Sequence, residues 1–129
     1  MRRISVTQAT YSCGLAAALA VIGGKWKFVI LWNLASGPRR FRMLRRLVAG
    51  ISEKMLIQEL KELELDGIVF RKDFREVPPR VEYSLTAFGR TLGEASRPLC
   101  EWGNRHMRRI GQLPTQCAVA TRPVKRLQR

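Results

Sequence analysis

Apolar positions along this chain fall into helical periods toward both ends, with a strand-like alternation between them. Leu15, Ala18, Leu19 and Ile22 recur at steps of three and four, which lines one side of a helix, and Gly23-Gly24 ends it. Trp26, Val29, Ile30, Asn33 and Leu34 give the next period, closed by Ser36-Gly37-Pro38, where proline cannot continue the hydrogen-bond ladder. Arg39 to Phe41 reads as a short extended piece. Met43, Leu44, Leu47 and Val48 then describe a short third helix with Arg42, Arg45 and Arg46 on its wet side, and Ala49-Gly50 closes it. Ser52 is an N-cap, its hydroxyl able to accept from free backbone amides, and it opens a fourth helix that runs to Asp66-Gly67. In that helix Leu56, Leu60 and Leu63 form the core stripe, and Glu53, Lys54, Ile57, Gln58 and Lys61 turn outward.

A hairpin follows. Ile68 to Phe74 and Val81 to Leu85 are rich in β-formers, with Val81, Tyr83 and Leu85 on one face, and Val77-Pro78-Pro79 makes a stiff connection that cannot pair further. Thr86 caps a long final helix in which Phe88, Leu92, Ala95, Leu99, Trp102 and His106 alternate steps of four and three. Such a seam suits packing on another helix, in the same chain or in a second copy. Pro98 removes one backbone hydrogen bond from this helix and predicts a kink, or a break near Arg97. The pattern divides the chain into an N-terminal arm (1–12), one folded domain (13–112) and a cationic tail (113–129). The fold class it predicts is mainly α with a small β-hairpin wing.

Charge changes this picture from architecture to function. The 129 residues carry 24 Lys and Arg against 10 Asp and Glu, a formal net charge of +14, and a field of that sign favours polyanions. The distribution is uneven: the first acid is Glu53 and the last is Glu101, with only cations on either side. Two short helices joined by Ala49-Gly50-Ile51-Ser52, the second with an apolar stripe and a polar outer face, match the helix-turn-helix plan, and the hairpin makes it winged. The N-terminal half of the fourth helix offers Lys54, able to donate to guanine O6 and N7, and Gln58, able to pair with adenine N6 and N7. Ile57 either touches a thymine methyl or flanks the core stripe. Ser52 and the helix start suit a phosphate. Arg71, Lys72, Arg75 and Arg80 place cations on the wing, and Arg40, Arg42 and Lys61 complete the candidate contacts to double-stranded DNA. A winged module that binds protein or RNA is the alternative, although the chain shows no aromatic platform for stacking bases.

Other classes meet specific obstacles. The longest apolar run, Leu15 to Ile22, falls far below the roughly 18 to 20 residues of a membrane-spanning helix. Arg2, Arg3 and Ala18-Leu19-Ala20 imitate a signal peptide, but apolar residues continue past that point and another amphipathic segment follows. Gly24-Lys25 resembles the end of a phosphate-binding loop, yet Leu19 stands where its first glycine is needed and Trp26 where Ser or Thr should hold magnesium. His106 is the single histidine, so neither a Cys-His pair nor a metal site has a recognised ligand spacing. No enzyme activity, cofactor or metal is expected. Cys13, Cys100 and Cys117 form an odd, scattered set, which argues for a reducing cytoplasm over a disulfide framework.

The residues also carry a resemblance. The order and spacing of Cys13, Ala18-Leu19, Val21-Ile22-Gly23-Gly24-Lys25-Trp26, Arg40-Phe41, Gly50-Ile51-Ser52, Lys54-Met55-Leu56 and Leu60 resemble the HxlR family of winged helix-turn-helix regulators. The likeness continues through Leu63-Glu64, Asp66-Gly67, Arg71, the run from Val77 to Thr86, Gly89 and Trp102-Gly103. It implies a homodimeric, cytoplasmic transcriptional regulator, a repressor by expectation, that presents two recognition helices to a palindromic operator. It further implies pairing through the first and last helices, which assigns Leu15, Leu19, Leu92, Leu99 and Trp102 to the interface. Some members use a cysteine matching Cys13 to sense an oxidant or a small electrophile, with Cys100 as a possible partner across the dimer. Burial of both thiols as small apolar groups is the competing reading, and Gly14 departs from the proline that commonly follows this cysteine.

Overall fold

The computed structural model describes residues 10–114; the arm as far as residue 9 and the cationic tail from residue 115, including Arg2, Arg3 and Cys117, lie outside it. The element order is α1 (Gly14–Ile22), α2 (Lys27–Leu34), β1 (Arg39–Arg40), α3 (Phe41–Leu47), α4 (Glu53–Leu65), β2 (Val69–Asp73), β3 (Val81–Leu85) and α5 (Ala87–Arg109). The strands form one antiparallel sheet in the order β1-β3-β2, with Arg39 opposite Tyr83 and Val69 opposite Leu85. The extended piece expected at Arg39 to Phe41 is thus a true edge strand, though Phe41 already begins α3.

Helix stripes and caps explain most of the packing. Leu56, Leu60 and Leu63 of α4 meet Ile30 and Leu34 of α2 and Leu44 and Val48 at α3 in one fully buried core. The Ser52 hydroxyl accepts from the Met55 amide at 3.1 Å and fixes the start of α4. Gly50, at φ +88°, turns the chain between α3 and α4 through a backbone region that side chains rarely occupy. Thr86 does the same work for α5 as Ser52 for α4: its hydroxyl accepts from the Gly89 amide at 2.8 Å and donates to the Gly67 carbonyl at 2.6 Å. That pair of hydrogen bonds ties the turn after α4 to the start of the last helix.

The last helix differs from expectation at Pro98, and its seam divides between two surroundings. It runs unbroken through Pro98, so no break occurs near Arg97. Pro98 and Glu94, four residues before it, both lie on the exposed side, where the carbonyl deprived of its amide can face water. Within the heptad seam, Leu92 packs against the core of its own chain, whereas Phe88, Leu99 and Trp102 are exposed. The face that α5 buries is instead made of Gly89, Gly93 and Ser96. Small residues there allow close approach, and a Cβ added to Gly89 would overlap the Ile68 carbonyl oxygen. Gly89→Ala should therefore force α5 off the wing and lower unfolding free energy by about 1–3 kcal/mol, or more if the helix cannot shift. Chemical denaturation checks this, and an unchanged midpoint would refute the close contact.

Candidate nucleic-acid interface

Helix α4 sorts its side chains by face. Lys54, Ile57, Gln58 and Lys61 are all exposed on the side opposite the leucine stripe, with Ile57 at 42% exposure. Ser52 is exposed at the N-terminal end, its hydroxyl already accepting from Met55. Glu53 pairs with Arg45 of α3 at 3.3 Å on the open surface. Spacing of three, four and seven residues puts Lys54, Ile57, Gln58 and Lys61 on one ridge, the arrangement a helix needs to present donors to base edges.

A buried charge group lies beneath that ridge. Lys27, the first residue of α2, is only 5% exposed, and its ammonium bonds to the Glu62 carboxylate and to Glu59 Oε1 at 3.1 Å. Of the acids of α4, Glu59 and Glu62 turn inward and are mostly covered. Gln58 Nε2 donates to Glu62 Oε2 over a long 3.4 Å, so a candidate base reader rests on the same carboxylate. A signal for this existed: Lys27 stands three, four and seven residues before Ile30, Leu31 and Leu34, which puts it on the buried stripe of α2.

The wing supplies a second cationic surface. Arg71 and Lys72 on β2 and Arg75 beyond it are exposed. Asp73 Oδ1 accepts from the Arg75 amide at 2.9 Å and holds the turn, with Arg75 at φ 57°. Lys72 and Arg80 both lie over the Phe74 ring, at 4.7 and 3.6 Å from its centroid. Arg80 is also drawn to Glu76 at 3.7 Å and Glu82 at 4.0 Å, which makes it a strut of the hairpin more than a free cation. Arg40 on β1 and Arg42 on α3 are exposed beside α4.

The remaining candidates lie on α1 and α5. Leu15 and Leu19 are 64% and 50% exposed, and Leu99 and Trp102 are 53% and 56% exposed. The Trp102 and His106 rings stack with centroids 5.7 Å apart, extending this apolar surface along α5. Cys13 is exposed at the N-cap position of α1, and Cys100 is half-buried on α5. The amides of Ala16 and then Leu15 hold the Cys13 thiol below its ordinary value, with Ser12 adding to the effect and desolvation opposing it.

Known proteins share this arrangement. The sequence profile described as HxlR-like helix-turn-helix matches residues 21–111. The HTH-type transcriptional regulator YkvN of Bacillus subtilis is 48% identical over 93 residues, covering 72% of this chain and 79% of that protein. The redox regulator HypR in its reduced form superposes with a TM-score of 0.69 at 44% identity, covering 76% of this chain and 96% of that one. Diamide-treated YodB from B. subtilis superposes with a TM-score of 0.65 at 33% identity, over 74% and 96% of the two chains.

The buried ion group makes a direct prediction. Lys27→Ala leaves the Glu59 and Glu62 carboxylates covered without their cation and should cost about 3–5 kcal/mol of stability. Arg45→Ala removes an exposed pair and should cost less than about 1 kcal/mol. Urea unfolding of the two variants compares them, and equal small losses would show that Lys27 is not needed beneath α4.

Proposed function

The chain belongs to the HxlR-like helix-turn-helix family, and we propose that it binds a palindromic operator as a homodimer and represses transcription there. It is a DNA-binding transcriptional regulator, as its relatives are. The finer reading rests above all on the outward ridge of α4, where Lys54, Ile57, Gln58 and Lys61 stand clear of the core beside the exposed cations of the wing. Lys54 and Gln58 read bases in the major groove, and Ile57 touches a thymine methyl. Ser52, Lys61, Arg40, Arg42, Arg71, Lys72, Arg75 and Arg80 meet backbone phosphates, with Arg80 also bracing the hairpin.

Two copies pair through the apolar surfaces of α1 and α5, where Leu15, Leu19, Leu99 and Trp102 are too large and too exposed to suit a lone protomer. Leu92 supports that surface from within its own chain. Symmetry then sets the two α4 helices against half-sites about one helical turn, roughly 34 Å, apart. The protein works in the cytoplasm, where DNA is present and thiols stay reduced.

The effector is an oxidant or a small electrophile that reacts at Cys13. Exposure, the lowered thiol and the likeness to the redox regulators HypR and YodB support this. Cys13 opens the helix that pairs with the partner, so an adduct there, or a bridge to Cys100 of the second copy, changes how the two recognition helices are spaced.

Two experiments test these roles. Gln58→Ala should lose about 1–3 kcal/mol of discrimination at one base pair while keeping its affinity for scrambled duplex; equal losses on both DNAs would remove Gln58 from the base readers. For Cys13, a lowered thiol means more thiolate at neutral pH, so alkylation should reach its plateau at lower pH than for a free thiol, whose pKa is about 8.5. Cys13→Ser should bind DNA normally and ignore quinone or diamide, and full operator affinity of the unmodified chain under these reagents would contradict the sensing role.

A further inference from the structure

Glu62 uses its two oxygens for different partners. Oε1 accepts from the buried Lys27 ammonium, and Oε2 accepts from Nε2 of Gln58, one turn earlier in α4, at 3.4 Å. The carboxylate is mostly covered, and the ammonium that holds it is itself held by Glu59 Oε1 at 3.1 Å. Gln58 is exposed, but its neighbour is anchored from within. A glutamine amide on a helix surface turns about a broad, nearly two-fold terminal torsion, so its oxygen and nitrogen ends exchange places easily. That exchange reverses the order of acceptor and donor that the side chain offers. A carboxylate accepts and cannot donate, so it attracts the nitrogen end and repels the oxygen end. A bond of 3.4 Å adds little stability. It does suffice to choose between the two flips, because the other one brings two oxygens together.

We propose that Glu62, anchored on Lys27, is a positioning residue that fixes the flip of Gln58 and thereby the base pair Gln58 prefers. One Nε2 hydrogen goes to Glu62, and Oε1 with the other hydrogen remains. Those two form the acceptor and donor that complement N6–H and N7 of adenine, whereas the flipped amide would offer them in reverse order. Glu62 touches no base in this role. It orders the amide before DNA arrives, which removes part of the cost of immobilising that side chain on a base. The inference rests on the base-reading role given to Gln58 above and names the residue that makes that reading selective.

The test titrates the full chain, Gln58→Ala, Glu62→Gln and the double variant against operator, operators altered at one base pair at a time, and scrambled duplex. At the base pair where Gln58→Ala loses discrimination, Glu62→Gln should lose about three- to tenfold, because an amide in place of the carboxylate accepts or donates and no longer selects a flip. The other base pairs and the scrambled duplex should keep their affinities. In the Gln58→Ala background, Glu62→Gln should change nothing further. Unchanged discrimination would overturn the proposal. Equal losses on every duplex would overturn it too, since they would show that Glu62 only seats α4. A second measurement needs no substitution: in the DNA-free chain, nuclear magnetic relaxation should find the Gln58 side-chain amide more rigid than that of Gln112, which is exposed beyond α5. Equal mobility of the two amides would overturn the proposal even if Glu62→Gln failed to fold. Equal losses by Gln58→Ala on every duplex would instead strike the base-reading role above, and this inference with it.

Discussion

One ammonium group shared by two carboxylates sets the position of α4, the proposed recognition helix. Lys27 sits at the start of α2, under α4, and holds Glu59 and Glu62 from the side that faces the core. Burying three charges is costly, and it is tolerated only when the geometry lets them neutralise one another. An apolar contact can slide; a shared ammonium cannot move far without stranding a charge. The leucine stripe supplies the adhesion of α4 to the domain, and the ion group supplies its register.

The same arrangement solves an electrostatic problem of the outward face. For α4 in the proposed role of recognition helix, acids at positions 53, 59, 62 and 64 would repel phosphate if all of them faced out. Two turn inward onto Lys27, Glu53 is tied to Arg45 and Glu64 stays exposed near the C-terminal end, so the ridge over the first three turns shows Lys54, Gln58 and Lys61. The wing repeats the device on a smaller scale, where Arg80 lies on Phe74 and gathers Glu76 and Glu82 toward the hairpin, leaving Arg71, Lys72 and Arg75 outside. A net charge of +14 is thus not spread evenly: Glu59 and Glu62 are drawn inward onto Lys27, while Lys54, Lys61, Arg71, Lys72 and Arg75 stay exposed.

Most of the scaffold is legible in the sequence because its signals are local. The stripe of α4, the caps Ser52 and Thr86, the hairpin and the glycine turn at Gly50 each depend on a few neighbouring residues, and each appears where its spacing places it. What is not legible depends on distant partners. The inward turn of Glu59 and Glu62 is not visible in the sequence, because nothing local shows that Lys27, thirty-five positions before Glu62, meets them. Leu92 keeps the heptad period yet turns to its own core, since glycines 89 and 93 let α5 rotate closely against the wing. Pro98 does not interrupt the helix because its missing bond falls on the wet side, which depends on how α5 is seated and not on the residue type.

The central claim is that sorted charge and a fixed α4 make a symmetric reader of duplex DNA, and selection from a random duplex library tests it most directly. The account predicts enrichment of an inverted repeat whose half-site centres lie about one helical turn, roughly 10 base pairs, apart, bound by two chains. Enrichment of a single asymmetric site bound by one chain, or no enrichment over random sequence, would contradict it.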